Sequence, residues 1–265
     1  MNTIFTLPGK LGDNLCKLPI AYQYSLQNNC KVDLCLDNAS YKLLPLLQNQ
    51  SWVNTAFCID GVTEYFCGGQ PYHFNQEQYF TSNWTNVYHL GYKTFPDNNL
   101  TLSSLADVPI DSINLLSQNC IDQVEYKNPT GILLEAQSSR PYANEEVIRC
   151  ADIVMSNLNT KLYISLFEED ETKYQCLLKY NPEFILSTSF TDMVETLKDK
   201  VLLTTYSAIS CLAYICKYPQ VIYYEQSTSL NHFDFGLSWY GRDYCIRGDS
   251  NLVQDKLLQL LQYGI

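Results

Sequence analysis

The sequence predicts an α/β protein of two Rossmann-like halves facing a cleft, and three observations lead there. The first is the stretch Leu7-Pro8-Gly9-Lys10-Leu11-Gly12-Asp13, held between the apolar run Thr3–Leu7 and a helical pattern that opens at Asn14. The second is an alternation of short β-branched runs with amphipathic segments, which predicts parallel strands joined by right-handed helical crossovers. The third is that this alternation lapses over Gly61–Ser104, meets a polar stretch at Asp122–Asn128, and then restarts. At 265 residues the chain is long enough to bury a proper core in one large domain or two small ones.

The opening stretch reads as strand, tight loop and helix. Gly9 and Gly12 permit the positive φ or close backbone approach that a Cβ blocks. The helix beyond them favours negative charge at its N-terminus, so Asp13 stands at the mouth of a cleft as a helix cap or as a base. Leu15, Leu18, Ala21, Tyr22 and Leu26 keep helical spacing up to Asn28-Asn29, with a kink or break expected at Pro19. Val32–Leu36 is a buried strand, Tyr41–Leu47 a short helix interrupted by Pro45, and Val53–Ile59 a third strand. Over Gly61–Ser104, Gly, Asn and aromatic residues accumulate without periodicity, as in a satellite cluster or a functional loop. Pro109–Cys120 is a candidate helix and Asp122–Asn128 a candidate linker.

The second series runs Ile132–Glu135 strand, Gln137–Asn144 polar loop, Glu145–Leu158 helix with an acidic first turn, and Leu162–Phe167 strand. Lys173–Lys179 reads as helix, Phe184–Ser187 as strand, Asp192–Leu197 as helix and Val201–Thr204 as strand. Ser207–Lys217 is a helix entered through Thr205-Tyr206, and Val221–Tyr224 a buried strand. The amphipathic Asn251–Tyr263 is expected to pack across the halves. The expected domains are therefore 1–125, 126–250 and a closing helix, 251–265.

A net charge of −11 opposes long-range attraction to nucleic acid or an anionic membrane. Apolar runs fall short of the ~20 residues of a membrane span, and Met1-Asn2-Thr3 lacks a basic n-region, so a cytoplasmic protein is expected. Eleven cysteines lie mostly in apolar runs without a C-x-x-C pair, and read as small hydrophobes. His73, His89 and His232 fall in no ligand motif, so no metal is expected. Glu168, Glu169 and Glu225 end strands, where a carboxylate accepts from ribose hydroxyls or is simply solvated.

Leu7–Asp13 with Leu18-Pro19 resembles the L-P-G-x-x-G-D-x-L-x-x-x-P opening of the heptosyltransferase-like glycosyltransferases of family nine, which have the GT-B fold. Thr188-Ser189, Val194–Leu197 and Val201–Pro219 resemble that family's run of helix, strand, phosphate loop, helix and strand. The resemblance implies a nucleotide-sugar-dependent glycosyltransferase, inverting and metal-independent, whose co-substrate is the nucleotide sugar and which needs no other cofactor. It implies that Asp13 deprotonates the acceptor hydroxyl. It also implies that Ser139 and Arg140, after the first strand of the second half, hold the donor phosphates, with Tyr206 and Ser207 at the phosphate loop. Lys10 and Gly12 are candidate phosphate contacts and Glu225 a ribose contact. The family's Asp, and the His five residues on, fall on Tyr206 and Cys211 here, so the heptose donor does not carry over. The resemblance leaves the acceptor unknown, with a saccharide and a modified DNA base as the two options. The second option belongs to a phage enzyme, in keeping with a composition rich in Asn, Tyr and Cys. An inactive nucleotide- or sugar-binding protein is the alternative from another class. A Rossmann oxidoreductase is disfavoured because Gly9–Asp13 is not G-x-G-x-x-G.

Overall fold

Thr3–Leu7 is buried along its whole length and forms β1, an interior strand of a four-stranded sheet. The computed structural model describes residues 2–7, 9–60, 77–90, 108–110, 120–122, 125–138, 141–167, 171–226 and 244–263. They fall in two units, Met1–Asp122 and Gln123–Ile265. Residues 111–119 of the expected helix Pro109–Cys120 and the residues Ser139, Arg140, Glu168 and Glu169 lie outside the described residues, while Pro109, Ile110 and Cys120 are not helical.

In the first unit β2 (Val32–Asp37) and β3 (Val53–Ile59) lie to one side of β1 and β4 (Asn86–His89) to the other, giving the order β3-β2-β1-β4. Every pair is parallel. Helix α1 spans Leu11–Asn28 and starts at Leu11 instead of Asn14, because Lys10 takes the extended N-cap conformation (φ −75°, ψ 170°) and commits Leu11 to the first turn. It runs through Pro19 without a break. The missing Pro N–H is offset by burial on either side, where Leu15, Leu18 and Ile20 are closed off from solvent. Asn29, in the left-handed region (φ 46°, ψ 47°), ends the helix. Pro45 opens a helix instead of interrupting one: a 3₁₀ segment (Asn38–Leu43) feeds α2 (Leu44–Gln48), which carries Pro45 in its first turn. Helix α3 (Glu77–Asn83) and β4 fall within the stretch that reads as aperiodic. All four residues of β4 are half-buried, which gives the strand no alternation to detect.

The second unit carries β5 (Ile132–Glu135), β6 (Leu162–Leu166), β7 (Glu183–Leu186), β8 (Val201–Thr204), β9 (Gln220–Tyr224) and β10 (Cys245–Arg247). From β5 the chain steps outward to β6 and β7, returns to the other side at β8, and continues to β9 and β10, the strand order of a dinucleotide-binding fold. All five pairs are parallel. Helix α4 (Pro141–Met155) begins at Pro141, a first-turn proline, so Glu145 and Glu146 lie beyond the first turn that the acidic pattern suggested. Thr172–Tyr180 is 3₁₀, broken in hydrogen-bond pattern by the non-helical Tyr174 (φ −101°, ψ 15°). Ser189 and Ser207 cap α5 (Phe190–Leu197) and α6 (Ala208–Ile215). The buried face of α7 (Ser250–Tyr263), Val253 and Leu257, is spent on the second unit's own core.

Cys16, Cys35, Cys150, Cys211, Cys216 and Cys245 are buried, and Cys30 is half-buried. Burial pushes the thiols of Cys35, Cys150 and Cys245 up to about 12, so they pack as inert small hydrophobes. Among the described residues no helix is long and apolar enough to cross a membrane.

Candidate functional site

In an open parallel sheet, ligands lie beyond the carboxyl ends of the strands where the strand order reverses. In the first unit that point is between β1 and β4, where Thr6 pairs in register with His89. Thr6 Oγ1 and His89 Nδ1 are 2.8 Å apart, which fixes the imidazole at the end of the sheet. The chain then turns at Gly9 with φ +112°. A Cβ there would be strained by the backbone and would stand 3.1 Å from the Cβ of Asp13. Only Gly9 of the two glycines does this work; Gly12 is a residue of α1.

Asp13 is the third residue of α1, not its N-cap. Its Oδ2 accepts from the Lys10 backbone N–H at 3.1 Å, satisfying one of the donors that the helix start leaves over. Buried Asn14 pins the loop from below: its Nδ2 donates to the Gly9 carbonyl (3.3 Å) and to Ser40 Oγ (2.8 Å). Lys10 is exposed and Asp13 half-buried. The turn therefore presents a carboxylate and a cation on a backbone held by a glycine and an asparagine. Gly9→Ala should destabilise the protein by about 1–3 kcal/mol, the cost of holding a non-glycine residue in such a conformation. Urea unfolding measures it, and a loss under about 0.5 kcal/mol would show that the turn relaxes freely.

In the second unit the order reverses between β5 and β8, where Glu135 pairs in register with Thr204. Glu135 is 1% exposed, and its carboxylate is fully engaged. Oε2 accepts from Thr204 Oγ1 at 2.7 Å and from Ser207 Oγ at 2.8 Å, while Oε1 accepts from the Gln137 N–H at 2.8 Å. Ser207 Oγ also accepts from the Ser210 N–H at 3.2 Å, so one hydroxyl joins the helix cap to the buried acid. Gln137 ties the same loop to β6, donating to the Ser165 carbonyl (2.7 Å) and accepting from the Phe167 N–H (3.0 Å). Asn144 on α4 accepts from the Ser138 N–H and donates to its carbonyl. The residues leading into Ser139 and Arg140 are thus fixed before any ligand arrives.

No family model matches the chain, and no curated protein matches it in sequence. Its structure is similar to Escherichia coli heptosyltransferase WaaC solved with ADP (TM-score 0.60, 11% identity, 98% of each chain). It is similar also to E. coli ADP-heptose LPS heptosyltransferase II (TM-score 0.61, 12% identity, 98% of each chain). A third is a glycosyl transferase of family 9 from Veillonella parvula (TM-score 0.58, 13% identity, covering 99% of this chain and 90% of that one). The fold is that of the GT-B glycosyltransferases.

On this GT-B chain the expected site residues divide between the units, with Lys10, Gly12 and Asp13 at the first reversal point. In the second unit Tyr206 is half-buried and Ser207 is 8% exposed, its hydroxyl held by Glu135. Glu225, just past β9, pairs with Arg149 of α4 at 3.0 Å in an exposed ion pair, which contributes little to stability. Lys173 Nζ donates to the Ala136 carbonyl at 3.1 Å. A groove of about 380 Å³ runs beside α4, lined by Asn144, Glu145, Arg149, Lys173 and Cys176 among others. Among the described residues no cluster of three or more His, Cys, Asp or Glu is placed to hold a metal.

Sequence reasoning missed Glu135, His89 and the buried Lys17. Glu135 closes an apolar strand, a position where a carboxylate is out of keeping with its neighbours, and that mismatch was its signal. Lys17 follows Asp13 by four residues, about one helical turn, a spacing that places the two on one side of α1.

Proposed function

We propose that the protein is a nucleotide-sugar-dependent glycosyltransferase, with Asp13 as the base that takes the acceptor hydroxyl's proton. The observation that carries this reading is the carboxylate of Asp13 at the strand-order reversal of the first unit, held by the Lys10 N–H on a preformed turn. As the acceptor oxygen bonds to the anomeric carbon, the bond from that carbon to the donor's phosphate oxygen breaks and Asp13 receives the proton. One such displacement inverts the anomeric centre. The leaving nucleoside diphosphate gathers charge, and needs cations and oriented N–H groups rather than an acid. Arg140, with Ser139, follows β5, and the amides that open α6 after Tyr206-Ser207 supply the rest. Neither step calls for a metal when arginine and helix amides carry the charge. Lys10 and Gly12 at the first turn and Glu225 beyond β9 complete the donor contacts in this reading, with Glu225 released from Arg149 to a ribose hydroxyl. Heptosyltransferase WaaC was solved with ADP and with ADP-2-deoxy-2-fluoro heptose, so adenine nucleotides are the first donors to try.

The experiment is a thermal-stability screen of the full chain with ADP, UDP, GDP and their sugars. A nucleotide at a hundred times its Kd adds about 2.7 kcal/mol to the folded state. Arg140→Ala should weaken the best nucleotide at least tenfold by calorimetry, since a hydrogen bond to a charged group contributes about 1.5–3 kcal/mol. Stabilisation by none of them, or equal affinity in the variant, removes the donor site from where it is proposed.

A further inference from the structure

Lys17 is the one lysine among the largest fully buried side chains of the described residues, at 1% exposure. An ammonium withdrawn from water is retained only where a nearby anion or several acceptors replace its hydration. Its surroundings are narrow. A methyl group placed on Gly9 would meet Asp13 Oδ2 at 3.4 Å and Lys17 Nζ at 3.5 Å, so the carboxylate and the ammonium converge on the same bare glycine. Asp13 precedes Lys17 by four residues, the order in which an acid and a base on a helix attract best. The Gly9 carbonyl already accepts from Asn14 and Ser40.

We propose that Lys17 is a positioning residue for Asp13: its buried ammonium keeps the carboxylate ionised and turned toward Gly9, ready to accept a proton. The proposal rests on the reading of Asp13 as the base and extends it to a residue that never touches substrate. Chemistry supplies the reason for such a partner. A nucleotide donor brings negative charge, which drives a nearby carboxylate to protonate, and a protonated Asp13 is no base. A cation built into α1 opposes that drive, and burial protects it from screening by salt. Among the described residues, the other ionisable groups on the elements bordering the turn include Lys10 in the loop, Asp37, Tyr41 and Lys42 at the 3₁₀ segment, and Tyr88 and His89 at the end of β4. Asp37 is occupied in accepting from the Ala39 N–H, and His89 Nδ1 lies against Thr6.

The test is a carboxyl-carbon NMR titration of the full chain, with Asp13 assigned by its loss in Asp13→Asn. Lys17→Met, which keeps the length and removes the charge, should raise the Asp13 midpoint by at least one pH unit, a tenfold gain in proton affinity. An unchanged midpoint overturns the proposal. If Lys17→Met does not fold, the coupling is read in reverse: Asp13→Asn should lower the titration midpoint of Lys17, followed at its ε-carbon, and an unmoved Lys17 again overturns it. Once a substrate pair is in hand, the acid limb of the kcat profile should move up by the same unit in Lys17→Met. A coupling seen by NMR with no movement of that limb would show that the carboxylate Lys17 holds is not the group whose ionisation governs turnover, and also ends the proposal. The titration needs no substrate, so its failure is separate from failure of the glycosyltransferase reading, which Asp13→Asn turnover decides.

Discussion

Asp13→Asn should lower kcat by about 10²–10⁴ while leaving the fold and the donor affinity nearly as they are, the range general base catalysis supplies. The asparagine retains an oxygen to accept from the Lys10 N–H, so the start of α1 keeps its hydrogen bond. What it loses is the charge near the helix N-terminus, worth about 0.3–1 kcal/mol at a partly exposed position, and the anion facing buried Lys17, whose ammonium then gives up its proton more readily, so a moderate drop in unfolding temperature accompanies the loss of rate. The measurement is initial rate with the nucleotide sugar found by the stability screen, alongside thermal unfolding of both proteins. Turnover equal to wild type would end the assignment of Asp13 as base. A large loss of stability would show that the carboxylate is structural first.

The largest effect on stability is expected at Glu135. Glu135→Ala takes the acceptor from two hydroxyls and an N–H at once, in a place closed to solvent. Each buried donor left without a partner costs about 1–3 kcal/mol. Thr204 Oγ1 has the Thr205 carbonyl at 3.0 Å to turn to, so the three losses do not add in full and about 3 kcal/mol is expected. Urea unfolding of the full chain checks it, and Glu135→Gln, which keeps one acceptor oxygen, should recover part of the loss. A change below about 1 kcal/mol in Glu135→Ala would mean that water replaces the carboxylate, and that the loop after β5 is held by Gln137 and Asn144 alone.

Where a segment's own residues decide its structure, the sequence was readable. The apolar run of β1, the helix starts just past Ser189 and Ser207, and the helix stop at Asn29 are local effects, and each appears within a residue or two of its expected place. The errors come where partners far along the chain decide. β4 is a strand because β1 offers it an edge, and β10 because β9 does. Pro19 remains helical because the surrounding apolar burial outweighs one missing hydrogen bond. The carboxylate of the candidate site was legible because Gly9 and the helix start mark it from both sides. Glu135 and Lys17 were not, since a buried charge is recognised only by the groups that surround it: Thr204 and Ser207 lie about seventy residues from Glu135 in the chain.

The two units are each continuous in sequence, and this gives them different timetables during synthesis. The described strands of the first sheet all precede β5 in the chain, so they can pair while most of the second unit is still unmade. The second unit has no such freedom. Its central strand, β5, comes first, but the core it belongs to includes Val253 and Leu257 of α7, made about 120 residues later. At about 5–20 residues per second the interval is on the order of ten seconds, far longer than strands and helices take to form. Through that interval the apolar residues of β5, and later those of β8 and β9, lack Val253 and Leu257 as partners and stand more open to non-native contacts.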